Sequence, residues 1–97
     1  MTKEPLFFLG NCYMTPGIVE LVERFQFPIS HFLKLHQSGD AGVLEAEDVQ
    51  ANVNALKNGR RIFSAYAFEL QANDSIKIWI ITEADRSSTT ILLPEEY

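Results

Sequence analysis

Cysteine is almost absent from this chain. Cys12 is the only one in 97 residues, so no disulfide can form within the chain and no zinc site can be built from thiolates. So little cysteine is typical of proteins in a reducing compartment. We therefore expect a cytoplasmic protein.

Basic residues are also scarce. The chain has 8 Lys and Arg against 13 Asp and Glu, a net charge of −5. This balance repels nucleic acid phosphates at long range, and no Lys/Arg cluster is present to attract anionic lipids. We expect no direct binding to nucleic acid or membrane, whereas a basic protein surface is a compatible partner.

Long apolar runs, repeats and flexible linkers are missing as well. The apolar run at residues 5–9 is too short for a signal peptide or a membrane-spanning helix. Hydrophobic residues nevertheless make up 46% of the chain, which is enough to form a core. The sequence predicts one folded domain, residues 1–97.

Three short helices are predicted in the first part of the chain. Thr15 provides a hydroxyl N-cap and Pro16 the first helical position, and the apolar stripe of this helix is Ile18, Leu21, Val22 and Phe25. A second helix follows Pro28 and ends at Ser38-Gly39, with the stripe Ile29, Phe32, Leu33 and His36. The third runs from about Glu45 to Lys57, with Gly59 as C-cap and the stripe Val49, Val53 and Leu56.

Strands are predicted at both ends. Residues 6–13 favour a first strand or extended arm, and the period changes to two after Arg61. One face of that strand carries Ile62, Ser64, Tyr66, Phe68 and Leu70, and the other Phe63, Ala65 and Ala67. This strand is followed by a turn at 71–75, a strand at 76–82, a turn at 83–87 and a last strand at 88–93. The predicted fold is α+β: an N-terminal strand and three short helices packed on a C-terminal three-stranded antiparallel meander.

Catalytic motifs are lacking. No nucleophile motif and no phosphate-binding glycine loop is present. His31 and His36 would point about 140° apart on a helix, which prevents both from binding one metal ion. His36 lies on the apolar stripe, where we expect a packed histidine. The sequence favours a protein that is not an enzyme and needs no cofactor or metal.

Acidic residues are placed unevenly. No Lys or Arg interrupts the segment between Lys34 and Lys57, and no base follows Arg86. Carboxylates on a rigid scaffold can replace phosphates in a basic groove, and Glu83 and Asp85 would be about 6.7 Å apart if extended. Acids in the first turn of a helix also complement its dipole without any partner. The residues predicted to bind a partner are Asp40, Glu45, Glu47, Asp48, Glu83, Asp85, Glu95 and Glu96.

Two other functions stay open from the residues alone. Glu83 and Asp85 could hold a divalent ion in a small nuclease or hydrolase, with Arg86 or His36 assisting. Asp85 and Arg86 are also explained as a turn residue and a surface ion pair. A non-enzymatic adaptor of a mobile genetic element is the remaining alternative.

Several segments carry a family resemblance. Residues 80–97 (IITEADRSSTTILLPEEY) resemble the C-terminal motif of a small protein family carried by plasmids, prophages and integrative elements. Further segments match this family in order: residues 14–17 (MTPG), His36 with residues 38–40 (SGD), residues 54–59 (NALKNG) and residues 64–66 (SAY). The family usually has Gly-Asp-Trp-Gly where this chain has Ala41 in place of the Trp, so any contact made by that Trp is missing.

The size and sequence are also similar to an anti-CRISPR protein directed against the type I-F surveillance complex. This resemblance implies a DNA mimic from a phage or plasmid that occupies the DNA-binding cleft of that complex. It implies the DNA-binding subunits of the complex as partners and the host bacterial cytoplasm as location. We expect the protein itself to be a monomer.

Overall fold

The chain alternates from strand to helices and back to strands. The computed structural model describes residues 5–39, 42, 46–71 and 74–97, without the side chains of residues 46–49 and 71. The strands are β1 (Asn11–Met14), β2 (Ile62–Gln71), β3 (Asp74–Thr82) and β4 (Ser88–Leu92). The helices are α1 (Pro16–Phe25), α2 (Ile29–Gln37) and α3 (Ala46–Asn58), followed by a short 3₁₀ helix (Pro94–Glu96).

One four-stranded sheet joins both ends of the chain, in the order β1-β4-β3-β2. β2, β3 and β4 form the predicted antiparallel meander, and β1 adds to it in parallel alongside β4. The α+β prediction is confirmed. β1 is shorter than the predicted strand, whereas β3 begins at Asp74, before the predicted start at Ile76.

The first two helices cover one face of the sheet because their apolar stripes match its inward positions. The predicted stripe of α1 joins this core, as do Tyr66, Phe68 and Leu70 from one predicted face of β2. Phe27, between the two helices, stacks on Phe32 and meets the edge of Phe68, with ring centroids 5.1 and 4.9 Å apart. The buried members of the cluster are Ile18, Leu21, Phe27, Tyr66, Ile78, Ile80 and Ile91.

The inward face of α3 differs from the prediction. Val53 is exposed, whereas Ala55 is buried against Phe7 and Ile62. The reason is a polar contact: the Asn52 amide donates to the Phe63 carbonyl and accepts from the Phe63 N–H. This contact turns Asn52 towards the backbone of the edge strand β2, and the small Ala55 then permits close approach.

The other face of the sheet carries aromatic side chains. Trp79 contacts Phe63 and Tyr97, with ring centroids 5.0 and 5.8 Å apart. Tyr97 directly follows the 3₁₀ helix, so its contact with Trp79 places the C-terminal segment against this face. No helix in the described part of the chain is long and apolar enough to cross a bilayer.

Candidate functional site

The structure describes the side chains of only four of the eight residues in the predicted acidic surface. Asp40 and Glu45 fall outside the described residues, and Glu47 and Asp48 are described only in their backbone. That backbone forms the first turn of α3, where carboxylates complement the helix dipole. The other four predicted residues have described side chains.

Glu83 and Asp85 lie in the turn between β3 and β4. The Arg86 N–H donates to the Glu83 carbonyl at 2.9 Å, so this segment is a turn and the extended spacing of about 6.7 Å does not apply. Glu83 forms an ion pair with Arg61 at 3.3 Å. The Asp85 carboxylate accepts from the Ser87 N–H at 3.0 Å, and hydrogen bonds from Ser87 hold the pKa of Asp85 below its usual range.

Arg86 binds backbone carbonyls. Its guanidinium donates to the carbonyls of Arg60 at 2.6 Å and Ala84 at 3.0 Å, and to that of Ala55 in the last turns of α3 at 3.4 Å. The predicted surface ion pair with Asp85 is not among the ion pairs of the described residues. Arg86 therefore joins the β3–β4 turn to the C-terminal end of α3, where a cation is also favoured by the helix dipole.

Glu96 caps α1. Its carboxylate accepts from the Gly17 N–H at 2.9 Å, the Leu93 N–H at 3.0 Å and the Thr15 hydroxyl. The predicted hydroxyl cap is therefore wrong, because Thr15 is the N-cap residue but its side chain makes no cap hydrogen bond. Burial raises the pKa of Glu96, but these hydrogen bonds outweigh it and the pKa lies below the usual value.

Two described members of the predicted surface remain open to a partner. Asp85 and Glu95 are exposed, and neither has an ion pair among the described residues. Arg61 also donates to the Tyr97 hydroxyl at 3.0 Å, which brings Glu83 next to the end of the chain. The structure thus places Glu83 beside the C-terminal segment and leaves the surface itself a prediction.

A buried polar network surrounds His36, which confirms the predicted packed histidine. The ring is 1% exposed. Nδ1 lies 2.6 Å from Ser64 Oγ, and Nε2 lies 2.8 Å from Thr82 Oγ1. Thr82 Oγ1 is 2.7 Å from Thr89 Oγ1, which in turn donates to the Leu9 carbonyl at 2.8 Å.

The last acceptor sets the direction of every hydrogen bond in this network. A carbonyl only accepts, so Thr89 uses its proton on Leu9 and must accept from Thr82. Thr82 has then used its own proton and accepts from His36 Nε2–H, which leaves Nδ1 to accept from the Ser64 hydroxyl. The ring is the neutral Nε2–H tautomer, and burial lowers its pKa to about 4.

A cavity of about 240 Å³ adjoins the network. Its lining includes Phe7, His36, Asn52, Leu56 and Ser64. A serine that donates to a histidine is the arrangement of a nucleophile and its base. However, a histidine with a pKa of about 4 is a weak base at neutral pH, so the network is better explained as packing with satisfied polar groups.

The partners of His36 were not predicted from the sequence. Ser64 occupies the inward face of β2 between Ile62 and Tyr66, and a polar residue at an apolar position signals a buried partner. Thr82 and Thr89 offered no such signal, because their pairing depends on the β3–β4 register. His36 is held in this network by Ser64 and Thr82, and no group of three or more metal-ligating side chains is found among the described residues.

Comparison with known proteins finds no matching family model, no matching curated protein and no matching solved structure.

Proposed function

We propose that this protein is a stoichiometric inhibitor that binds a type I-F CRISPR surveillance complex and blocks its access to target DNA. It presents an acidic, DNA-like surface to the Lys/Arg-lined channel of the DNA-binding subunits. It is encoded by a phage, plasmid or other mobile genetic element and acts in the bacterial cytoplasm. It works by binding and not by catalysis, without metal or cofactor. The choice of complex rests on the sequence resemblance alone.

Uncompensated negative charge is the observation that supports this proposal. The chain carries a net charge of −5, and the described residues form only the ion pairs Arg24–Glu20 and Arg61–Glu83. Arg86 is hydrogen-bonded to backbone carbonyls. Most of the excess charge therefore stays available to attract a basic groove and steer association.

The described carboxylates contribute in two ways. Asp85 and Glu95 are exposed and free to contact basic side chains directly. Glu96 is fixed by the hydrogen bonds at the start of α1, so it adds negative potential at a defined position. The charge of Glu83 is offset by its ion pair with Arg61. Asp40, Glu45, Glu47 and Asp48 complete the proposed surface.

A DNA-binding competition tests this function. The purified surveillance complex is mixed with increasing amounts of the protein, then with a labelled target duplex, and bound DNA is measured by fluorescence anisotropy. We expect DNA binding to be abolished at about one molecule of the protein per DNA-binding site. Inhibition should be weaker at high salt, since salt screens exposed charges. Unchanged DNA binding at saturating protein would refute the proposed target.

Charge-matched variants test the proposed surface. Asp85→Asn with Glu95→Gln removes two charges from it, while Glu20→Gln with Glu23→Gln removes two from the exposed side of α1. The first pair should weaken association about fivefold and the second should leave it near the parental value. Equal effects of both pairs would mean that net charge, and not this surface, controls association.

The labelled duplex also reports on catalysis. Incubated with the protein and Mg²⁺ alone, it should remain intact on a denaturing gel. If the duplex is cleaved in a metal-dependent way, and the Asp85→Asn variant does not cleave it, the protein is a nuclease and not an inhibitor of the proposed kind.

A further inference from the structure

The two edges of the sheet differ in whether other residues of the chain cover them. The outer edge of β2 is covered at Phe63 and Ala65, where Asn52 of α3 pairs with the Phe63 backbone and Gly42 forms a bridge with Ala65. All residues of β1, at the other edge, are exposed. Proteins normally blunt an exposed strand edge with charge, proline or a covering element, and β1 has none of these among the described residues.

The free edge of β1 presents unpaired backbone groups. The N–H groups of Asn11 and Thr15 donate to the carbonyls of Ser87 and Ile91 beside β4, at 3.0 and 3.1 Å. Successive residues of a strand point their N–H and C=O groups to opposite edges. Cys12 and Met14 therefore direct theirs away from β4, where no described residue supplies a backbone partner.

The exposed side chains in and before β1 are uncharged, and several of them are large and apolar. Phe8 is 82% exposed, Tyr13 54% and Met14 45%. No Asp, Glu, Lys or Arg occurs from Pro5 to Val19, although the whole chain has a net charge of −5. The strand and the segments that flank it therefore bring no charged side chain of their own to a contact between two copies.

We propose that two copies of this protein associate through antiparallel pairing of their β1 strands. Cys12 of one copy pairs with Met14 of the other, so the two-fold axis passes beside Tyr13. Each hydrogen-bonded pair exchanges both backbone bonds, which gives about four bonds across the axis. The two four-stranded sheets become one continuous sheet, an alternative to the monomer expected from the sequence.

The register places the two Tyr13 residues directly opposite each other. They form a non-hydrogen-bonded pair with Cα atoms about 4.5 Å apart, within the range that a disulfide requires. The two Cys12 residues are offset diagonally, about 7 Å or more apart, which is too far for efficient bridging.

Disulfide trapping tests this register. Tyr13→Cys in a Cys12→Ser background should form a covalent dimer under mild oxidation, whereas Val19→Cys on the exposed side of α1 in the same background should stay monomeric. The parent, with Cys12 alone, should crosslink much less than the Tyr13→Cys variant. Equal crosslinking at residues 13 and 19, or stronger crosslinking through Cys12, would overturn the proposed pairing.

Sedimentation equilibrium tests the association itself without any crosslink. The mass of the parent should rise from 11.0 kDa towards twice that value as concentration increases from about 5 to about 500 µM, since the contact is smaller than a standard interface. Tyr13→Lys places like charges across the axis and should remain at the monomer mass. Val19→Lys makes the same change in net charge and should behave as the parent.

A parent mass that stays at the monomer value throughout would overturn the proposal. A Tyr13→Lys variant that still dimerises, with circular dichroism showing that it is folded, would do the same. Neither measurement involves the surveillance complex, so this inference and the proposed function can fail separately.

Discussion

At the residue scale, His36 is the best-defined group in the molecule. Both ring nitrogens have hydrogen-bond partners at 2.6 and 2.8 Å, and the order of donors leaves Nδ1 as an acceptor. Protonation would make Nδ1 a donor to the Ser64 hydroxyl, which can also accept, but it would place a charge on a buried ring. Burial of the ring therefore favours the neutral histidine.

The burial of His36 predicts a loss of stability in acid. The unfolded chain binds a proton at His36 near pH 6.5, whereas the folded protein does so near pH 4. The free energy of unfolding should therefore be highest above pH 6.5 and should decrease as the pH falls towards 4. At pH 4.5 it should be lower by about 2.5 kcal/mol. Urea titrations between pH 8 and 4.5 measure it.

A matched pair of histidine variants isolates this contribution. His36→Gln should lose the pH-dependent component that lies between pH 6.5 and 4.5, in addition to any uniform loss of stability. His31→Gln, on the exposed side of α2, should keep the parental pH profile. If both variants retain the same pH dependence as the parent, His36 does not control it.

At the element scale, α1 depends on a residue far along the chain. Its N-terminal amide at Gly17 is satisfied by Glu96, while the predicted cap, Thr15, instead donates its hydroxyl to the same carboxylate. The sequence predicted where the helix begins, because Thr-Pro is a local pattern. It did not predict the cap, because residues 17 and 96 meet only after the sheet has formed.

Glu96→Ala should therefore destabilise the protein. It leaves amides at the start of α1 and at Leu93 without their acceptor, which should cost about 1–2 kcal/mol and lower the melting temperature by about 5–10 °C. Glu95→Ala removes an equal charge from a neighbouring exposed side chain and should change the melting temperature little. Thermal unfolding followed by circular dichroism compares the two, and equal melting temperatures would contradict the cap.

In the other elements too, features set within one segment were predicted, and features set by contacts between distant segments were not. The α1 stripe was predicted correctly, since it follows from periodicity within one segment. The period of two along β2 likewise grouped Tyr66, Phe68 and Leu70, which join the core, on one face of the strand. The α3 stripe was wrong at Val53, because the contact of Asn52 with the edge of β2 sets the rotation of that helix. Periodicity does not reveal a polar side chain that pairs with a distant backbone.

At the scale of the whole molecule, the C-terminal segment joins the two faces of the sheet. Glu96 binds the start of α1, while Tyr97 covers Trp79 and accepts from Arg61 on the other face. These last residues therefore contribute to both layers at once. Their removal should affect the helical layer and the aromatic face together.

Deletion of residues 94–97 tests this connection. The loss of the cap and of the Tyr97 contact should lower the free energy of unfolding by about 2–3 kcal/mol. The single Trp of the chain is Trp79, so its fluorescence should shift to longer wavelength as water reaches it. Tyr97→Ala should give the shift with a smaller loss of stability, and an unshifted spectrum in both would contradict the packing of Tyr97 on Trp79.

Charge, the near absence of cysteine, the α+β class and the order of helices and strands were determined by the sequence alone, because each depends on composition or on residues close in the chain. The partners of His36, the cap of α1, the carbonyl contacts of Arg86 and the open edge at β1 were decided only by the tertiary structure. Each requires two segments distant in sequence to meet, and strand register and helix rotation fix which polar atoms then face each other.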